Sequence, residues 1–552
     1  MMKTCDIELL EKQGCISTDW SQVTIQEGTD LSRIRNVYFN GKVTIGANPV
    51  IINVPGGISN VRIGDNVKIV NVSSISRSQD ATFGVGTDIA VLDESGSRPV
   101  RIYPGISAQV ATIAARMPKY SKDRLLPMIS CHIQNLPDMP EIGDNVEICD
   151  CGTISDVRIW SGVRVDGAVR LKNGSIVNNT DKERSLTYVG NGVDAENFII
   201  EDATVTGGCI IRNTYVGQGC VLDKGFTSHD SLFFANSCME NGEACAVLAG
   251  PYSVSMHKST LLIGCHTSFM NSGSGTNMSN HMYKLGPVHW GVMERGVKTS
   301  SNSYVMHGSR IGAYSLVMGE HKNHPDSSEF PFSYLFGDQK GQTIVVPGAM
   351  LKSYGLKRDE GKWHKRDRRL NRGMKIHDRI TFEILNPYTA DMILNATGLI
   401  RHLLGTPTDD EGFITYKGLK IKPSSLKKGL RLYELALCKY INSIKEKEAE
   451  GKITIKDNAE ERWVDLSCQV ISESDLMEIL NAGSIEEMEK RLDQASETID
   501  IDVKKWTEFL MQEHIDHDAL ARLSAELDTI IENDRIEALR LKDMEDNMLS
   551  FL

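Results

Sequence analysis

The stretch "IGDNVKI" at residues 63–69 returns almost unchanged as "IGDNVEI" at residues 142–148. Each copy places an isoleucine six residues after another. Outward from the first copy, Ile45, Ile51, Ile63, Ile69 and Ile75 all stand on multiples of six from one another, and only Gly57 interrupts them. From the second copy the series runs on through Ile154. It resumes in new phases as Ile159, Val165, Leu171 and Val177, as Val193, Ile199, Val205 and Ile211, and as Val216 and Leu222. Val305, Ile311 and Val317 repeat the step late in the region.

A helix repeats its apolar positions every three or four residues and an ordinary strand every two. An aliphatic residue every six, often followed by Gly, instead marks a parallel β-helix. Each hexad forms one short side of a coil, its aliphatic side chain points inward, and the small residue turns the corner. Stacked coils bury a continuous apolar column and pair every strand edge except those at the ends.

On these hexads the chain resembles the left-handed β-helix superfamily of hexapeptide-repeat acyltransferases and sugar-nucleotide enzymes, over roughly residues 40 to 340. The left hand comes from that resemblance, since the common crossover rule for parallel strands is right-handed. "SFMNSGSGTNMSNHMYKLGP" together with "FPFSYLFG" also resembles an uncharacterised bacterial family of long hexapeptide-repeat proteins.

The expected fold is therefore mainly β: a left-handed parallel β-helix with a helical insertion and an α-helical C-terminal region. Residues 1–40 read as an N-terminal segment and 41–340 as the β-helix. Residues 104–130, "PGISAQVATIAARMPKYSKDRLLPMIS", have helical spacing and form the insertion. A basic connector is expected over 341–380 and a helical domain over 381–552. In that last region Leu426, Leu430, Tyr433, Leu437, Tyr440, Ile441 and Ile444 make one apolar face, as do Leu520, Leu523, Leu527 and Ile531. "KEKEAEGK" (445–452) reads as a solvated helix end or linker.

Composition narrows the function. A formal charge of −12, from 61 basic and 73 acidic residues, argues against general nucleic-acid binding. No apolar run approaches the roughly 20 residues that span a bilayer, and "MMKTCDIELLEKQGC" lacks the apolar core of a signal peptide. The 12 cysteines are scattered without a CxxC pair, so reduced thiols and a cytoplasmic location are expected. Neither a phosphate loop of the GxxxxGK[ST] type nor a GxSxG elbow occurs. About 40 residues precede the hexads, too few for the catalytic domain that sugar nucleotidyltransferases place there.

Eight of the 14 histidines fall between 229 and 324: His229, His257, His266, His281, His289, His307, His321 and His324. The resemblance implies a single His acting as general base, removing a proton from a hydroxyl or amine that attacks a thioester carbonyl. His281, His257 and His289 are the candidates, in that order. Asn271, Ser274, Asn277, Ser279, Asn280, Tyr283 and Lys284 surround the first as candidate substrate contacts. The competing reading is that Asn, Ser and Thr form polar ladders at coil corners. Ten Lys or Arg against four Asp or Glu between Lys357 and Arg379 make the one strongly basic stretch. Lys365, Arg366, Arg368 and Arg369 are its candidate phosphate ligands, against the alternative of a connector pairing with acidic helices.

Hexapeptide carbonic anhydrases bind zinc through three histidines, but their spacing is not met by His307, His321 and His324, and no metal site is expected. No tightly bound cofactor is expected either; an acyl-coenzyme A or acyl-carrier protein would be a co-substrate, and a sugar or nucleotide sugar the acceptor. The resemblance further implies a homo-oligomer, trimeric or dimeric. The alternative to an enzyme is a non-catalytic binding or scaffold protein on a β-helix platform.

Overall fold

The computed structural model describes residues 4–180, 187–279, 289–456, 461–497, 500–502 and 504–549. The chain divides into two compact units, Met1–Cys265 with Asp367–Asp378, and His266–Arg366 with Arg379–Leu552. Both are built on parallel β-solenoid coils.

In the first unit, strands one coil apart pair in parallel. Val50–Ile52 align with Lys68–Val70, Glu147–Cys149 with Arg164–Asp166, and Ile210–Arg212 with Thr227–His229. Pairing begins at Ile16–Ser17, which lie against Tyr38–Phe39, earlier than the hexads suggest. Every aliphatic hexad residue from Ile45 to Leu222 is buried. Gly57 breaks the series because the register slips there: Val37 faces Val54 but Phe39 faces Ile58, which takes the inward place. With φ at +92° and the Tyr38 ring against it, that slip tolerates no side chain.

The corners are polar. Asn173, Asn197 and Asn213 each adopt left-handed backbone, with φ of 46°, 54° and 48°. Their amides form a ladder: Asn173 Nδ2 donates to Asn197 Oδ1, Asn197 to Asn213, and Asn213 to Asp230 Oδ1, each at 2.9 Å. Asn is favoured here because its short amide tolerates this conformation and bonds the next coil. Asn197→Ala is expected to cost about 2 kcal/mol in urea denaturation, combining backbone strain with two lost hydrogen bonds. Asn197→Gly, which keeps the backbone relaxed, should cost about half as much.

The helical insertion is larger than its helical spacing indicates. Asn66 bonds Asn145, 79 positions on, where Asn48 and Asn66 are only 18 apart. The excursion carries the antiparallel strands Asp88–Ala90 and Pro99–Arg101 and the helices Ala108–Arg116 and Leu126–Gln134.

In the second unit Met278, Val305 and His321 stack in register, as do Thr299 and Val317, and all five side chains are buried. Coil pairing ends at Tyr334–Gly337, which turns back antiparallel onto Thr343–Val346. The C-terminal region is helical, with helices Pro387–Leu403, Pro423–Ala449 and His517–Leu549 among its elements. Leu426, Tyr433, Leu437, Tyr440, Ile441 and Ile444 are buried as their spacing predicts. The "KEKEAEGK" stretch is a helix end, stopped by Gly451 at φ +69°. Among the described residues no helix is long and apolar enough to cross a membrane.

Candidate active site

On one outer face of the first unit's coils, residues in register form a row: Lys172, Glu196, Arg212, His229 and Cys245. The lower part is an alternating charge ladder. Arg170 bonds Asp194 and Glu196, Lys172 bonds Glu196, and Arg212 bonds Asp194, at 2.8–2.9 Å. Lys172, helped by Arg170, holds the Glu196 carboxyl below its ordinary range.

His229 breaks the ladder. Its Nδ1 lies 2.8 Å from Asp230 Oδ2, and its side chain is 57% exposed. Asp230 occupies the left-handed corner position, φ 46°, and its other oxygen receives the Asn213 amide. The carboxylate is thus fixed from below and stands beside the imidazole. One coil on, burial, reinforced by Glu94 and Asp230, pushes the Cys245 thiol up to about 12. Cys245 is therefore a protonated neighbour rather than a nucleophile. The insertion borders this end of the row, where Leu92 N donates to Ala246 O at 2.7 Å. With the Asp230 carboxylate beside Nδ1 and the side chain exposed, Nε2 stands open to solvent, where a general base has to meet its substrate.

The residues singled out from sequence are distributed differently. His281, Asn280, Tyr283 and Lys284 lie outside the described residues. His257 is exposed in a turn and His289 is half-buried. Asn271 is exposed, and Ser274 is half-buried with its carbonyl accepting from Asn302 N. Asn277 and Ser279 lie in a strand paired with Tyr304–Met306; among the described residues nothing bonds Asn277 Oδ1 or Ser279 Oγ. Three other histidines serve the interior: His307, His321, against Thr343 Oγ1 at 2.9 Å, and His266, against Ser467 Oγ at 2.6 Å. Among the described residues no group of three His, Cys, Asp or Glu could hold a metal ion, and all twelve cysteines are free.

The basic stretch is shared between the units. Lys365 and Arg366 are exposed and belong to the second. In the first, Arg368 Nη1 donates to Gly219 O at 2.7 Å. Arg369 is buried, bonds both oxygens of Asp367 and donates to Asp378 O. It is thus engaged internally and does not face a phosphate from solvent. Burial raises the Asp367 carboxyl, but Arg369 outweighs this and holds it below its ordinary range. Asp378 in turn accepts from Ala108 N at 2.7 Å and Ala235 N at 2.8 Å, capping the insertion helix and fixing a coil. His377 lies 3.0 Å from the buried Glu201, which also receives Tyr215 Oη and Gly105 N. Asp367–Asp378 is therefore a strap fastened to coils and insertion, which explains much of its charge.

A family profile described as "Domain of unknown function (DUF4954)" matches residues 1–61 and 44–404. The chain belongs to that family. No curated protein matches it. The family description names no chemistry, so the residues carry the functional argument.

His229 was visible in the sequence only as one of eight clustered histidines. Asp230 is the residue that sets it apart. It falls where Asn173, Asn197 and Asn213 occupy the preceding corners, so a carboxylate replaces an amide in the ladder beside a histidine.

Proposed function

We propose that this protein transfers an acyl group from a thioester to a hydroxyl or amine, with His229 as general base. The β-helix fold is compatible with acyltransferase-like repeat proteins. The observation that carries the reading is an exposed imidazole whose Nδ1 lies 2.8 Å from the Asp230 carboxylate. In the proposed reaction Nε2 removes the proton of the acceptor as its oxygen or nitrogen attacks the thioester carbonyl. The imidazolium, stabilised by Asp230, then returns that proton to the departing thiolate as the tetrahedral intermediate collapses. No covalent enzyme intermediate is needed. The donor class is an acyl-coenzyme A or acyl-carrier protein, and the acceptor class a sugar or nucleotide sugar.

The test is thiol release from a panel of acyl-coenzyme A thioesters with sugar and amino-sugar acceptors. His229→Ala should lower turnover about a hundredfold or more while leaving thermal unfolding unchanged, because the side chain lies outside the core. Asp230→Asn should lower turnover with the imidazole still present. Unaltered turnover in His229→Ala would refute the assignment. Absence of acceptor-dependent thiol release across the panel would favour a non-catalytic platform, the reading supported by the many histidines and asparagines engaged in the coils themselves.

A further inference from the structure

At the start of the first unit an open cavity of about 470 Å³ is lined by Lys42, Asn60, Arg62, Arg77, Ser78, Gln79 and Asp138. Its volume falls within the range of small-molecule sites, and its lining holds three cations and one carboxylate. Arg62 is heavily engaged: it meets both oxygens of Asp138 at 2.7 and 2.8 Å and both of Glu141. Arg77 gives only Nη1 to Glu141, at 2.8 Å. Its remaining N–H groups, and the exposed Lys42 ammonium, have no partner among the described residues.

A third guanidinium shares an aromatic ring with Arg77. Arg158 lies 4.1 Å from the centre of the Phe83 ring, and Arg77 lies 5.7 Å from the same ring. Among the described residues no group bonds the buried Arg158 Nε. Burial, with help from Arg62 and Arg77, makes Arg158 a weaker base than an ordinary arginine, although Glu141 and Asp138 oppose this. The remaining local carboxylate, Asp156, accepts Ser78 N at 2.6 Å. Four cations thus share three carboxylates, and Arg77 and Lys42, whose donors are not all engaged, line the cavity.

We propose that this cavity binds a phosphate monoester of a small polar molecule. Arg77 and Lys42 would hold the dianion, since guanidinium forks and ammonium groups suit phosphate oxygens. Ser78 and Gln79 would bond the hydroxyls of the attached group. This site is separate from the His229 row, and its test does not depend on turnover.

Isothermal titration of the full chain with glycerol 3-phosphate, inorganic phosphate and glycerol decides the matter. Saturable one-to-one binding of glycerol 3-phosphate is expected, weaker binding of inorganic phosphate, and none of glycerol. Lys42→Ala and Arg77→Ala should each weaken the ester by about tenfold or more, as loss of a charge-assisted hydrogen bond does. Lys224→Ala, which removes the unrelated Glu240 ion pair, should leave binding unchanged. Lys42 is exposed, so its variant tests the site without a folding defect. No saturable binding, or binding that survives both substitutions, overturns the proposal. Binding of inorganic phosphate with exclusion of the ester overturns the monoester assignment.

Discussion

Arg295→Met is expected to destabilise the protein by about 3–5 kcal/mol in urea denaturation, because it removes the buried cation that stands beside the Asp465 carboxylate. Arg295 is fully buried in the second unit. Its Nη2 donates to Thr381 O at 2.7 Å, its Nε lies 3.7 Å from Asp465 Oδ2, and its guanidinium sits 5.2 Å from the Phe269 ring centre. Burial opposes the charge, but Tyr314 and Asp465 more than offset this, and Arg295 is an even stronger base than usual. Asp465 belongs to the hairpin Trp463–Leu466 and Gln469–Ser472, which Thr381 also binds through Cys468 O and Val470 N. Arginine thus ties that hairpin to the rest of its unit. Met fills a similar volume, so the loss reports the charge rather than a cavity. Arg295→Met with Asp465→Leu should recover most of the stability, since a buried pair replaced by apolar residues is often neutral. A single variant within about 1 kcal/mol of the parent, or a double variant no better than the single, would separate Arg295 from Asp465.

What the sequence makes legible follows from what repeats. Ile63, Ile142 and their successors face one interior, so the period of six declares both the coil and its core. The apolar face from Leu426 to Ile444 is legible for the same reason at helical spacing. Arg295 is not legible, because its partners Asp465 and Thr381 are distant in the chain and obey no period. Arg369 misleads in the opposite direction: in sequence it belongs to an exposed-looking basic run, whereas Asp367 and Asp378 have folded it inward. His229 lies between these cases. The corner pattern that would have exposed Asp230 is regular, but its spacing varies from 16 to 24 residues. A strict hexad count therefore passes over it.

His321 is expected to make the second unit acid-sensitive between about pH 6.5 and 4. It takes an interior coil position, in register with the aliphatic Val305 one coil before. Its Nδ1 meets Thr343 Oγ1 at 2.9 Å, and Thr343 donates its own proton to Asn323 Oδ1. The imidazole therefore supplies the Nδ1 proton and turns a bare Nε2 into the interior, where no described group bonds it. Protonation would place a charge there. Burial, only partly opposed by the nearby Met318 backbone, pushes the imidazole down to about 4 from its ordinary 6.5. The unfolded chain thus takes up the proton first. The stability tied to this group is fully present above about pH 6.5 and is lost as pH falls through 4, by about 3 kcal/mol in all. His321→Val extends the aliphatic column of Val305 and leaves Thr343 bonded to Asn323. Urea denaturation at pH 7 and pH 4.5 should show a loss smaller by about 2–3 kcal/mol in the variant than in the parent. An equal loss in both proteins would place the acid sensitivity in other groups and require His321 to be protonated within the coil.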